Sequence, residues 1–303
     1  MEHYFNIAGW PVCIAFTHED DETGMHLLPS YMPFLTNDEA SGQGRAGQLL
    51  FRLTVDNGLC PVPEEQCQRV RTFDTGNGDT VVDKLEDGGY QYLIKDIHGN
   101  TCALLVCNAT FTCCTCALKG DRGNRYFGLN NAIMLVYAFA SSHHGTLLIH
   151  ASLVRHDGHA YAFTAKSGTG KSTQVANWLR TIPGCDMMND DNPIVRVMPD
   201  GHVRIFGSPW SGKTPCYRNV SAPLAAITLI ERAPTNYVER LSPLISFGTL
   251  LTACSTMKWD ESIYNSLCDT VTAVVTAVPV YSLHCTADPE SALVCHEAIR
   301  YKE

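Results

Sequence analysis

The sequence has no apolar run near the ~20 residues that a membrane-crossing helix needs. Its most apolar stretch, residues 132–140, falls far short of that length. It also lacks a basic segment: 22 Lys and Arg stand against 31 Asp and Glu, a formal charge of −9. An acidic chain without a local basic patch repels a phosphate backbone, so nucleic acid is not expected as a main partner. The opening residues, MEHYFNIAGWPVCIAF, lack a positively charged stretch followed by a cleavable apolar core. No export signal is therefore expected, and the protein reads as soluble and cytoplasmic, with no membrane partner. There is no internal repeat and no low-complexity tract. Charged residues are only 17% and hydrophobic residues 45%, the balance of a globular chain rather than a disordered one.

Cysteine, by contrast, is abundant, at 14 residues in 303. A secreted disulfide scaffold would be much shorter. Cys107, Cys113, Cys114 and Cys116 cluster, but without the paired C-x-x-C spacing of a structural zinc site. They read as reduced thiols serving as small apolar residues in strands.

Residues 1–120 alternate short apolar stretches with turn signals at Asp56-Asn57-Gly58, Gly76-Asn77-Gly78 and His98-Gly99-Asn100. This predicts an antiparallel β domain. The polar segment 17–45 reads as a long loop and a natural contact region. A connecting segment, 121–145, holds an apolar helix over 132–142, with the two preceding asparagines as caps and a role in joining the halves. From residue 146 strands and helices mix, which predicts an α/β nucleotide-binding domain over 146–303. Strands are expected at 147–155, 159–164, 185–189, 194–198, 203–206, 225–231 and 278–285. Helices are expected at 171–181, 247–254, 261–275 and 289–300.

The chemistry is concentrated in AKSGTGKST, residues 165–173. The segment follows a strand pattern and opens a helix pattern, the context that makes a glycine loop a phosphate cradle. Ser167, Gly168, Thr169 and Gly170 would turn backbone N–H groups inward, and the helix N-terminus adds partial positive charge. Lys171 would reach the β- and γ-phosphates of ATP, and Ser172 would place its hydroxyl on Mg²⁺ with Thr173 beside it. Ala165 stands where such loops have their first glycine; it fits if that position keeps an ordinary strand-like conformation. Asp190 and Asp191 follow after one helix and a return strand, which brings them back to the loop. One carboxylate would hold Mg²⁺ and the other accept a proton from an attacking hydroxyl; the sequence does not say which. His150, in LLIHASLV, lies on the strand before the loop strand; if the two strands are neighbours, its imidazole would point at the γ-phosphate or at the acceptor. His143, His144, His156 and His159 read as surface residues.

The ordered set IHAS, AKSGTGKST, NDDN and GSPWSGK resembles the catalytic domain of HPr kinase/phosphorylase and its kinase relatives, and more distantly ATP-dependent phosphoenolpyruvate carboxykinase. The segments APLAAITLIERA and VPVYSLHCTADPESAL look like the closing parts of such domains, so the likeness covers roughly residues 146–300. It implies a P-loop kinase domain with ATP and Mg as cofactors. Gly168, Gly170 and Lys171 would be phosphate-binding, and Ser172 and one aspartate metal-binding. An aspartate would be the base that activates a serine hydroxyl, and His150 would lie at the reacting phosphate. The Glu-x-Arg-Gly segment of genuine HPr kinases is missing, so HPr itself is not the expected acceptor. Peptide serines and free serine are the alternatives. Lys213 and Arg218 are further candidates for binding phosphate or substrate. Two other readings stay open: a nucleotide-binding regulatory module without turnover, and a carboxykinase-type enzyme. Residues 1–120 are left between substrate recognition, holding a peptide leader and a homo-oligomer interface.

Overall fold

The computed structural model describes residues 1–17, 24–36, 49–74, 77–166 and 168–301. The chain is mixed α/β, with two mixed sheets and few helices. It divides into two compact units, Met1–Ser141 and Ser142–Glu303. No described helix is long and apolar enough to cross a membrane.

The first unit is built on a nine-stranded sheet. Strands β1 (Glu2–Ile7) and β2 (Trp10–Phe16) form a hairpin whose turn residues, Ala8 and Gly9, have φ of 51° and 83°. Two positive φ angles match the strands' right-handed twist, which is why glycine ends this turn. The remaining strands are β3 (Leu35–Thr36), β4 (Phe51–Val55), β5 (Cys67–Asp74), β6 (Asp79–Leu85), β7 (Tyr90–Lys95), β8 (Thr101–Cys107) and β9 (Cys113–Leu118). Their order is β3-β1-β2-β4-β9-β8-β7-β6-β5.

The sheet is not purely antiparallel, as the turn signals suggested: β4 runs parallel to both β2 and β9. Long connections on either side of β4 let the chain return to the same end of the sheet, and tight turns confine the antiparallel meander to β5–β9. The expected loop at 17–45 is also corrected where it is described, at 24–36. There Leu28, Tyr31 and Phe34 are fully buried, with Tyr31 edge-on to Phe5.

Helix α1 (Arg122–Ala140) starts earlier than expected, because Asp121 caps it by accepting from Asn124 N–H at 2.9 Å. Asn130 and Asn131 lie inside it and donate back to the carbonyls of Tyr126 and Phe127. It belongs wholly to the first unit, packing on β8 and β9. Gly128 permits this: a Cβ there would lie 2.6 Å from the Cys102 carbonyl oxygen.

The second unit contains β10 (Thr146–Leu148), β11 (Ala151–His156), β12 (His159–Thr164), α2 (Lys171–Thr181), β13 (Asp186–Asp191), β14 (Ile194–Val197), β15 (Val203–Phe206), β16 (Ser221–Arg232), β17 (Tyr237–Arg240), α3 (Pro243–Ala253), α4 (Glu261–Ala277), β18 (Val280–Cys285) and α5 (Glu290–Ile299). The sheet runs β10-β14-β15-β16-β12-β11-β13, with β18 also on β16 and β17 outside it. The long β16 makes this possible. Its first residues pair with β15 and its last with β18, while β12 lies parallel to it.

Successive residues of β12 point to opposite faces. Tyr161 and Phe163 pack with Val175, Trp178, Leu283 and Ile299 from α2, β18 and α5. Ala160 and Ala162 pack with Leu250, Leu267 and Val271 from α3 and α4. Apolar helix stripes thus cover both faces of the central strands. Polar side chains tie α2 to the start of α5: Asn177 donates to the carbonyls of Ala287 and Asp288, and Ser291 donates to Gln174 at 2.9 Å.

His156 is not a surface residue. Its Nδ1 meets His296 Nε2 at 3.2 Å, and the His296 ring stands edge-on to Trp178. Burial, then the facing His156 and Arg300, push the His296 pKa below its ordinary 6.5, with Glu297 and Asp157 opposing. The unfolded chain therefore binds a proton here at a higher pH than the folded unit does. Stability contributed by neutral His296 is complete above pH 6.5 and is lost as pH falls below it. Thermal melting of the protein from pH 8 to pH 5 should show this loss, and His296→Gln should flatten it. An unchanged slope in that variant would assign the loss to other groups.

Candidate functional site

Residues 147–155 read as one strand in the sequence, but the ladder breaks at Ile149 and His150. β10 pairs with β14, whereas β11 pairs with β12 and β13. In the gap His150 N–H donates to the Ala253 carbonyl at the end of α3, 2.7 Å away, and Ile149 bridges to Cys254. This irregularity leaves the imidazole between two functional groups. Its Nε2 is 2.7 Å from Lys171 Nζ and its Nδ1 is 3.0 Å from Asp191 Oδ1. An ammonium has no acceptor, so Nε2 accepts from Lys171 and the ring proton sits on Nδ1, donated to Asp191.

The glycine loop leaves the end of β12, where Thr164 Oγ1 donates to the His150 carbonyl at 3.1 Å. Ala165 is buried and does not take a positive φ, so alanine is accommodated without strain. Gly168 and Gly170 do, at 75° and 135°, angles that an L side chain rarely adopts. Ser167 lies outside the described residues. Thr169 N–H closes a turn on the Lys166 carbonyl at 3.1 Å. Gly170 then stands at the N-cap of α2 and no side chain caps that end, so first-turn N–H groups are left for solvent or an anion. Ser172 and Thr173 are exposed on that turn. Burial lowers the Lys171 pKa from its ordinary value, partly offset by Asp191 and Asp190.

The two aspartates have different surroundings. Asp190 is 3% exposed. Its Oδ1 accepts from Ser152 Oγ at 2.7 Å and its Oδ2 from Thr214 N–H at 3.1 Å. Asp191 is partly open at the strand end, with φ of 119°, and it touches His150 and Asn192 Nδ2. A non-glycine residue at that angle is strained, and the neighbouring contacts hold it there. Gly212 packs against it: a Cβ on Gly212 would lie 3.1 Å from Asp191 Cβ. Gly212 N–H and Ser211 Oγ both donate to the Asp190 carbonyl.

The Gly-x-Pro-Trp segment, residues 207–210, is organised by Asn189. Its Nδ2 donates to Ser208 Oγ at 3.2 Å and the Trp210 carbonyl at 3.0 Å, and its Oδ1 accepts from Asn192 N–H at 3.1 Å. Asn189, Ser152 and Arg232 carry parts of the site that the motif reading passes over. The asparagines flanking the aspartate pair are a usable signal, since Asn favours such local backbone bonds. Ser152 and Arg232 have none.

Arg218 is not at the site. It pairs with Asp186, at the other end of β13, at 2.8 Å. Arg155 joins the same carboxylate, also at 2.8 Å. Lys213 is exposed on the loop beside Asp191.

Among the described residues no group of three or more His, Cys, Asp or Glu is arranged to hold a metal ion. Magnesium keeps water and phosphate ligands beside only one or two from protein, so it does not need such a group. No protein-family model matches this chain, and no curated protein matches it.

Proposed function

We propose that the second unit is a P-loop kinase domain that binds ATP with magnesium and transfers the γ-phosphate to a hydroxyl, on a peptide serine or a small molecule such as free serine. The observation that carries this reading is the Lys171–His150–Asp191 chain, which sets a phosphate-seeking cation and a proton acceptor on the two nitrogens of one imidazole. The uncapped N-terminus of α2 behind Gly168 and Gly170 supports it, because that is where a polyphosphate finds backbone donors. The resemblance to HPr kinase-like domains supports the same chemistry.

In this reading Asp191 accepts the acceptor's hydroxyl proton. The hydroxyl oxygen then bonds to phosphorus as the bond to the ADP oxygen breaks, with Lys171 stabilising phosphate charge. His150 orients Asp191 through Nδ1–H. Ser172 and Asp191 would hold magnesium, which supplies neutralisation of phosphate charge when bound. Asp190 is buried, accepts from Ser152 and Thr214, and serves to seat the 211–214 loop, whereas Asp191 is the more open of the two.

Lys171→Ala should lower transfer from γ-labelled ATP by about 10²–10³-fold, the loss expected for one preorganised charge-stabilising group. The acceptors to test are free serine, serine-ended peptides and a host lysate. Near-normal transfer in that variant would refute the assignment. ATP binding with no transfer to any acceptor by wild type would favour a nucleotide-binding module without turnover.

A further inference from the structure

Arg232, the last residue of β16, reaches the glycine loop across a large sequence separation. Its Nε donates to the Thr169 carbonyl at 3.2 Å and its Nη2 to the Gly168 carbonyl at 2.5 Å. A trans peptide points its carbonyl and the following N–H in opposite directions. A guanidinium on these two oxygens therefore turns the N–H groups of Thr169 and Gly170 away from itself. Thr169 N–H meets Lys166 O, and the Gly170 carbonyl accepts from Gln174 N–H at 2.9 Å as α2 begins. The Gly168–Thr169 unit is thus held on one edge by the side chain and on the other by the turn, the Thr169–Gly170 unit on one edge by the side chain, and the unit after it by the helix.

Gly168 and Gly170 make this clasp consequential. Both sit at positive φ and a Cβ at either would meet nothing within 4 Å, so neighbouring atoms do little to hold the backbone there. Glycine loses more conformational freedom on ordering than any other residue. A loop that must be ordered by its ligand binds more weakly than one ordered beforehand. We propose that Arg232 is a positioning residue for the phosphate loop: it fixes the Gly168 and Thr169 peptide units from the outside, so that a polyphosphate meets an ordered cradle. The proposal rests on the nucleotide-binding reading above and extends it to a residue that touches the loop and not the reacting atoms.

The test uses the full chain and three probes: magnesium-ATP, magnesium-ADP and inorganic tripolyphosphate. Arg232→Ala should weaken all three by about tenfold in calorimetry, equivalent to ~1.4 kcal/mol. The KM for the hydroxyl acceptor should not change, and kcat at saturating ATP should stay within about threefold, since only uniform binding is lost. Arg232→Lys, which can reach one carbonyl, should recover part of the affinity. Hydrogen exchange in the ligand-free protein should quicken over 165–175 and not over the strands β12 and β16.

Unchanged affinity for all three probes in Arg232→Ala, with wild type binding them, would overturn this inference and leave the kinase reading intact. So would a fall in kcat with affinity unchanged, which would place Arg232 on the transferring phosphate. Wild type binding none of the probes would remove the nucleotide reading and this inference together.

Discussion

Asp191→Asn is expected to lower phosphate transfer by about 10²–10⁴-fold, the usual contribution of a positioned general base, while melting temperature stays close to wild type. The substitution keeps the shape of the side chain and a residue type that tolerates positive φ, so the strained backbone at 119° need not relax. It removes the proton acceptor facing His150 Nδ1. Asp190→Ala should behave differently. It strands Ser152 Oγ and Thr214 N–H, both of which now donate to a buried carboxylate. Thr214 is exposed and its N–H can turn to water, but Ser152 is buried, and an unsatisfied buried donor costs roughly 1–3 kcal/mol, so this variant should melt below wild type. Single-turnover transfer and thermal melting on the same two proteins separate the roles. Transfer that survives in Asp191→Asn but vanishes in a folded Asp190→Ala protein would reverse the assignment.

Gly207→Ala should be the most damaging single methyl in the second unit. A Cβ there would lie 2.1 Å from the Arg218 carbonyl oxygen and 2.9 Å from that of Met188. Both are backbone atoms, so no side chain can swing aside. Gly207 N–H also donates to the Val220 carbonyl at 2.9 Å, which fixes the segment in place. Overpacking of this kind costs about 1–3 kcal/mol and sometimes more, or several degrees in melting temperature for a unit of this size. Because the 207–216 segment seats Asp190 and Gly212, transfer should fall with stability. Gly248→Ala is the matched control. A Cβ there meets nothing within 4 Å, and Gly248 lies inside the exposed face of α3. It should stabilise by about 0.4–1 kcal/mol through reduced freedom of the unfolded chain. Equal melting temperatures for the two alanine variants would refute the packing argument.

These two expectations also mark where reading the sequence stops. The backbone of the glycine loop is legible, because glycine at 168 and 170 suits the positive φ found there and a helix pattern follows from Lys171. Helix α2 spans Lys171–Thr181 as its apolar positions indicate, since Val175, Trp178 and Ile182 recur on one face. The strand at His159–Thr164 is likewise legible, as an apolar run behind the turn at Asp157-Gly158.

The division of labour between Asp190 and Asp191 is not legible. Adjacent residues on a strand point to opposite sides, and only packing tells which side is core. The break at His150 is hidden as well, because LLIHASLV has the composition of one continuous strand. What opens it is a hydrogen bond to Ala253, more than a hundred residues away in the chain. The parallel placement of β4 is lost for the same reason, since its partners β2 and β9 are separated from it by long connections.

The sequence by itself thus determined the residue types of the site, the elements that carry them and the acidic, globular character of the chain. These follow from local periodicity, turn chemistry and charge, which act over a few residues. Tertiary structure alone decided which aspartate faces the imidazole, that Arg232 bonds to the glycine loop, and that Arg218 is tied to Asp186 instead. Those outcomes depend on side-chain direction and on contacts between distant segments, and they exist only once the sheet has brought the segments together.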